Sequence, residues 1–262
     1  MASGAHVLLS TSAAGVRTLV LNTPRTLNSM TPDVGGAFKA AVVAANRDMS
    51  VRALVVTGAG PAFSSGGNLG FLKQRIDGDP RESAAQLVEF YSRFLVVRKS
   101  RVPVVAAING TAFGAGICLA LACDYRICES SAKLSFNFAR LGIHSGMAGS
   151  YYLPKLVRPD IATRLLLTGE VLTGRQAYDL GIVSEVADGV DSVKERAGQL
   201  AAQIASNPPE IVQAMLRTLR RQQDVGLNEA LYHEGDCQAK HFRLPYIAKN
   251  IDDFERRPRK VE

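Results

Sequence analysis

The stretch PVVAAINGTAFGAGICLALACDYRI, residues 103–127, decides the fold. It begins as a short, continuous apolar run, passes through a glycine-rich turn, and continues as an apolar helix that leads into another strand. A second stretch has the same order, because RALVVTG at 52–58 predicts a buried strand and GAGPAFSSGGNLG at 58–70 follows it. Short apolar strands between helices are typical of an α/β core whose sheets are covered by helices.

The flanking residues predict the remaining elements. Residues 6–22 alternate apolar and polar side chains and predict a β-hairpin. Thr31, as a cap before a proline, begins a helix that runs to about residue 48. Further predictions are a helix over 83–99 and a loop over 139–147. A new helix begins at Pro208–Pro209, so we predict a core over 1–206 and a helical C-terminal portion over 207–262.

Composition excludes several classes of protein. The chain has 262 residues, of which 47% are hydrophobic and 21% charged, as in one large globular domain. No apolar stretch reaches the roughly 18 residues of a membrane span, and no basic leader precedes the first apolar patch. We therefore predict no membrane span, no signal peptide and a cytoplasmic location.

Charge and cysteine spacing point away from nucleic acid and from metal. The net charge is +7, but the dense basic run ERRPRK is a terminal tail at 255–260. Scattered basic residues suit a polyanionic small molecule better than nucleic acid, and a generally basic surface without a specific partner is an equal alternative. A nucleic-acid-binding protein would show salt-dependent retention on DNA. The four cysteines form no CxxC pair, so we predict free thiols and no metal site.

The glycine-rich segments predict a pocket for a negatively charged oxygen. GAGPAF at 58–63 is not a dinucleotide fingerprint, because its sixth residue is Phe63 and no helix is predicted there. Adjacent glycines in SSGGN leave backbone amides unobstructed, and NGTAFGAG at 109–116 opens a helix whose first amides are unpaired. Together they predict a two-donor oxyanion hole. The alternatives are an ordinary turn and an ordinary helix start.

In these segments the chain resembles the crotonase, or enoyl-CoA hydratase/isomerase, superfamily. The resemblance also includes TLNSMT at 26–31, ARLGIHSGMAGSYYLP at 139–154 and LLLTGEVLTGRQAYDLGIVSEV at 165–186, and it runs from about residue 16 to 257. It implies a spiral of ββα turns with two sheets and a helical C-terminal portion that forms a homotrimer or a dimer of trimers. It also implies a lyase or isomerase of fatty acid metabolism that acts on an acyl-CoA thioester, with coenzyme A as part of the substrate and no further cofactor.

The resemblance also assigns site residues. The backbone N–H groups of Gly67 and Ala115 would be the two oxyanion donors. Arg25 would meet a phosphate of coenzyme A, although a surface arginine without a ligand is an equal alternative. The residues expected to bind substrate are Arg25, Leu27, Ser65, Gly66, Asn68, Leu69, Gly114, Cys118 and Phe138.

The carboxylates of the hydratase pattern are absent from the expected positions. The resemblance places Cys118 and Phe138 where a hydratase has its two glutamates, and Gly146 where dienoyl isomerases have a later carboxylate. Two roles are predicted for Cys118: a small buried packing residue, or a thiolate near a helix N-terminus. Two hypotheses follow: an acyl-CoA enzyme with non-standard acid and base groups, and a catalytically silent acyl-CoA-binding protein.

Other titratable residues lie in the segments around the predicted pocket and on the helices that follow. His144, on the loop that borders the predicted pocket, is the candidate, with a hydrogen-bonded structural histidine as the alternative. Asp124, between a helix and a strand, is expected to make a structural hydrogen bond. His233 and Glu234 lie on a polar helix and are expected to be exposed, and His241 is similar.

Overall fold

The strands of the protein divide between two sheets in the computed structural model, which describes residues 5–256. The larger sheet has the order β1-β2-β3-β5-β7-β10, and the smaller one the order β4-β6-β8-β9. The strands are β1 (Val7–Thr11), β2 (Val16–Leu21), β3 (Ala53–Gly58), β4 (Ala62–Ser64), β5 (Val104–Ile108), β6 (Thr111–Phe113), β7 (Tyr125–Glu129), β8 (Lys133–Ser135), β9 (Leu172–Thr173) and β10 (Glu185–Ala187). Only the β1–β2 and β8–β9 pairs of these strands are antiparallel.

Helices follow the strands and cover the sheets. They are α1 (Pro32–Arg47), α2 (Leu69–Lys73), α3 (Pro80–Phe94), α4 (Ala115–Ala122), α5 (Phe138–Leu141), α6 (Gly149–Leu156), α7 (Pro159–Thr168), α8 (Gly174–Asp179), α9 (Val190–Ala205), α10 (Pro209–Gln223), α11 (Leu227–His241) and α12 (Ile247–Arg256). Short 3₁₀ turns occur at Pro24–Thr26 and Leu95–Lys99. None of the helices in the part of the chain that the structure describes could span a membrane.

The chain order confirms the predicted ββα spiral. In each of the pairs β3–β4, β5–β6 and β7–β8, the first strand joins the larger sheet and the second joins the smaller one, and a helix follows. Strands β3 and β5 are nearly continuous apolar runs because both of their faces are buried. In β3, Leu54 packs into the main core, whereas Val55 packs on the other face against Val193 of α9.

Most local predictions are confirmed, and two differ. The hairpin pairs Val7 with Leu21, and Thr31 caps α1 by accepting a hydrogen bond from the Val34 amide at 3.2 Å. The segment after Asn68 is not all loop, because the Asn68 side chain caps the short helix α2. Residues 139–147 were predicted as loop, yet α5 extends to Leu141. Both helices are a turn or so long, too short for periodicity to show.

A partly buried ion pair joins the C-terminal helix α10 to the core. Helix α10 begins at Pro209 as predicted, and its Arg220 donates to both carboxylate oxygens of Asp124, at 2.9 and 2.5 Å. Asp124 also accepts from the Val104 amide at 2.8 Å, at the start of β5. Asp124 therefore has the structural role that the sequence predicted. The division at residue 206 stays a prediction, and the basic tail beyond residue 256 lies outside the described residues.

Candidate active site

The two glycine-rich segments meet in the folded protein. Gly66 has a φ of +91°, and a Cβ atom there would lie 2.5 Å from the carbonyl oxygen of Phe113 and 3.3 Å from the amide nitrogen of Ala115. Any side chain would therefore clash with the opposite backbone and also adopt an unfavourable conformation. Glycine at this position lets the segment after β4 lie directly against the segment after β6.

Two backbone amides at this contact have no acceptor among residues 5–256. The amides of Met30 and Asn68 are used in the bridge beside Gly67, but within the described part of the chain the Gly67 amide itself has no acceptor. The amide of Ala115, the first residue of α4, also has none among the described residues. Amides at a helix N-terminus sit in a positive field that favours an anionic oxygen.

Both amides belong to residues that line a cavity of about 510 Å³. Its walls are mostly apolar, as in sites that bury the body of an organic ligand and orient it through a few polar groups. The structure brings together these predicted site residues on its walls: Leu27, Ser65, Gly66, Gly67, Asn68, Leu69, Gly114, Ala115 and Phe138. The exposed basic residues Lys133 and Arg140 line it too. They were not predicted, and they could meet an anionic part of a ligand.

Three predicted site residues do not line the cavity. Arg25 is exposed and lies outside the lining. Cys118 is fully buried behind the wall, and burial, with the nearby Glu234 carboxylate, raises the pKa of its thiol well above the usual value. This argues against a thiolate and for the packing alternative. His144 is on the expected loop, but its ring packs against α11, with its centroid 5.7 Å from that of His233.

A tyrosine and a glutamine supply polar groups at the cavity wall instead. The Tyr91 hydroxyl, on α3, donates to Oε1 of Gln238, on α11, at 2.7 Å, and Nε2 of Gln238 donates to the His144 carbonyl at 2.7 Å. A Cβ on Gly146 would lie 2.7 Å from the Tyr91 hydroxyl oxygen and 2.7 Å from Nε2 of Gln238, so the absence of a side chain there makes room for these two groups. Burial raises the pKa of Tyr91 well above its usual value, so the phenol stays protonated.

The prediction that Glu234 is exposed was wrong, because its side chain is fully buried. Its carboxylate accepts hydrogen bonds from the amides of Ala148 and Ser150 at 2.7 and 3.0 Å, and from the Ser150 hydroxyl at 2.5 Å. Burial raises the pKa of Glu234 to about 7, and these hydrogen bonds oppose the rise. Helical periodicity could have placed residue 234 beside Leu231 and Gln238 on the buried face of α11.

This carboxylate supports a strained part of the cavity loop. Met147 and Ala148 both have left-handed backbone angles, with φ of 57° and 59°, and Met147 lines the cavity. Such a conformation costs a residue with a side chain about 1–2 kcal/mol. The hydrogen bond from the Ala148 amide to Glu234 helps to offset this cost, so α11 sets the shape of one cavity wall.

The ββα fold and this cavity define a protein of the crotonase-like class. Residues 11–260 match the family model described as enoyl-CoA hydratase/isomerase, and the chain belongs to this family. A probable enoyl-CoA hydratase of Mycobacterium tuberculosis (strain H37Rv) is 36% identical over 97% of this chain and 96% of the relative. A crotonyl-CoA hydratase of Syntrophomonas wolfei is 34% identical over 70% of each chain. The crystal structure of an enoyl-CoA hydratase/isomerase from Mycobacterium paratuberculosis superposes with a TM-score of 0.86 at 25% identity, over 97% of this chain and 100% of that one.

The raised pKa of Glu234 predicts a pH-dependent stability. Between pH 4.5, its ordinary pKa, and about 7, the folded protein keeps a proton that the unfolded chain has released. This contribution is complete below that window and is lost as the pH rises through it, and it amounts to at most about 3 kcal/mol. We expect the unfolding free energy of the wild type minus that of Glu234→Gln, both from denaturant titrations, to fall as the pH rises through this window.

The matched control is Glu229→Gln, which changes an exposed glutamate on the same helix. This variant leaves the buried Glu234 carboxylate in place, so it should keep the pH-dependent fall in unfolding free energy that Glu234 gives the wild type. A constant difference between wild type and Glu234→Gln would contradict the assignment of a shifted carboxylate.

Proposed function

We propose that the protein is an acyl-CoA enzyme of the hydratase/isomerase type that binds the thioester oxygen between the Gly67 and Ala115 amides. The observation that carries this proposal is the pair of amides without acceptors on the wall of an apolar cavity. Preorganised N–H donors stabilise the negative charge that develops when a thioester becomes enolate-like. Backbone donors need no side-chain acid or base, so this part of the machinery is independent of the missing glutamates.

The proton donor in this proposal is Tyr91. Tyr91 lines the cavity, and its raised pKa suits a neutral phenol that gives a proton to the α-carbon of an enolate and is then reprotonated from water, rather than a group that removes a proton. Its hydroxyl donates to Oε1 of Gln238 at 2.7 Å in the structure, so rotation about the phenol C–O bond would turn the proton toward the substrate. Hydration by two carboxylates is therefore not the proposed mechanism. A catalytically silent acyl-CoA-binding protein remains the rival, which predicts tight binding without turnover.

The Ala115→Pro variant tests the oxyanion hole. Proline removes the amide N–H, and the first position of a helix tolerates proline, so α4 should persist. Loss of one oxyanion donor lowers kcat by roughly 100- to 1,000-fold in enzymes of this kind. We expect a loss of that order in whichever reaction the wild type performs fastest among hydration, isomerisation, decarboxylation and hydrolysis of acyl-CoA thioesters.

The control is Val190→Pro, which places a proline at the first position of α9, also after a glycine and away from the cavity. It should keep wild-type activity, with both variants checked by circular dichroism. Wild-type activity in Ala115→Pro would refute the oxyanion assignment. Acyl-CoA binding by the wild type without turnover in any of the four reactions would establish the silent protein instead.

The Tyr91→Phe variant tests the proton donor. Removing the hydroxyl should lower kcat by roughly 100-fold or more while the affinity for acyl-CoA, measured by calorimetry, changes little. The matched control is Tyr152→Phe, which removes another buried hydroxyl that does not line the cavity. An equal fall in affinity and kcat, or an equal effect of both variants, would indicate a structural role for Tyr91.

Self-association into a trimer or a dimer of trimers is also part of the proposal. Ile211, Met215 and Leu219 are 54%, 62% and 55% exposed, and they follow one another at four-residue spacing along α10. This spacing places them on one helix face, and exposed apolar patches of this kind mark protein interfaces.

The double variant Met215→Lys/Leu219→Lys tests this surface. Two charges in a buried apolar interface carry a large desolvation penalty, so light scattering should show monomers where the wild type is oligomeric. Arg217→Glu, which changes an exposed residue on the opposite face of α10, should leave the oligomer intact. An oligomer that survives the double variant would mean that this stripe is not the interface.

A further inference from the structure

A cluster of three metal-binding side chains lies where α11 packs on the cavity loop. One ligand atom from each of His144, His233 and Cys237 lies within 4.8 Å of the other two. His233 and Cys237 are four residues apart on α11, so they share one helix face, and His144 comes from the loop. None of the three residues lines the cavity, so the cluster is separate from the proposed thioester site.

Local hydrogen bonds prepare His144 as a ligand. Its Nδ1 lies 2.8 Å from the carbonyl oxygen of Ser145, which can only accept, so Nδ1 carries the proton and Nε2 presents a lone pair. A histidine fixed in this way by a backbone carbonyl is the usual arrangement at zinc sites. His241 accepts a hydrogen bond from the His144 amide at 2.8 Å and so holds this part of the loop against α11.

The pair on α11 is equally well placed. The Cys237 sulfur lies 3.6 Å from Nε2 of His233, about the separation of two ligands on one tetrahedral ion when metal–ligand bonds are roughly 2.0–2.3 Å. His233 is exposed and Cys237 half-buried, so a small rotation of the side chains can close the remaining distance to His144. Two imidazoles and one thiolate form a set of ligands that binds zinc in preference to magnesium or calcium, which take oxygen ligands.

We propose that His144, His233 and Cys237 bind a zinc-type divalent cation, with water or another ligand in the fourth position. The bound ion would link α11 to the loop that supplies Ile143, Gly146 and Met147 to the cavity wall. The cysteine spacing along the chain gave no sign of this site, because two of its ligands are histidines and one comes from a distant loop.

Cobalt titration of the untagged, reduced and metal-stripped full-length protein tests the proposal. One equivalent of Co²⁺ should bind and produce a thiolate-to-cobalt charge-transfer absorption that Zn²⁺ abolishes by displacement. His144→Ala and His233→Ala should each weaken Zn²⁺ binding by at least roughly tenfold, since even residues that only orient zinc ligands have effects of that size. Cys237→Ser should also remove the charge-transfer band. His6→Ala, at a histidine outside the cluster, is the control and should bind as the wild type does.

A second measurement does not depend on cobalt. Zn²⁺ should slow alkylation of Cys237, followed by mass spectrometry, and should raise the Tm of the wild type but not of Cys237→Ser. These side chains are exposed or half-buried, so the variants should fold, as circular dichroism can check. No cobalt band in the wild type, or unchanged Zn²⁺ affinity in a His233→Ala/Cys237→Ser double variant, would overturn the proposal. Neither result would bear on the thioester site.

Discussion

The close approach of Gly66 to the Phe113 carbonyl is the contact on which the rest of the site depends. Strands β4 and β6 are short, and the segments that follow them can meet only if no side chain intervenes at Gly66. The Gly67 and Ala115 amides near this contact belong to cavity-lining residues and have no acceptor among residues 5–256. A larger residue at position 66 would separate the two segments, and the donors would no longer converge.

Two strained turns on the cavity wall are each held by a buried polar side chain. Leu27 and Asn28 have left-handed backbone angles, as do Met147 and Ala148. The Asn28 side-chain amide donates to the carbonyls of Ala59 and of Ala62, the first residue of β4. The Glu234 carboxylate accepts from the Ala148 amide. Such conformations persist only where surrounding bonds enforce them. The cavity shape is therefore maintained by hydrogen bonds with little exposure to water.

Features that depend on residues close together in the sequence could be predicted from it, whereas features that depend on residues far apart in the sequence could not. Strands, the α1 cap and the glycine-rich segments are local, and they were predicted from neighbouring residues. The buried state of Glu234 was missed because it depends on a loop that is distant in sequence. For the same reason the sequence did not identify Tyr91 and Gln238 as site residues, because their hydrogen bond joins two helices that only the fold brings together. Arg25 was placed near a ligand phosphate by resemblance, whereas the basic residues on the wall come from other elements.

The proposed function assigns binding and proton transfer to different parts of the site. The proposed oxyanion donors are backbone groups, so side-chain replacements elsewhere on the wall leave them in place. The protic group at the wall instead comes from α3, oriented by α11, and Gly146 makes room for it. In the proposed enzyme, a replacement on these helices or on the loop would therefore change which proton moves without disturbing how the thioester is held. Membership of the family defines the scaffold, whereas the proposed reaction depends on Tyr91 and its neighbours.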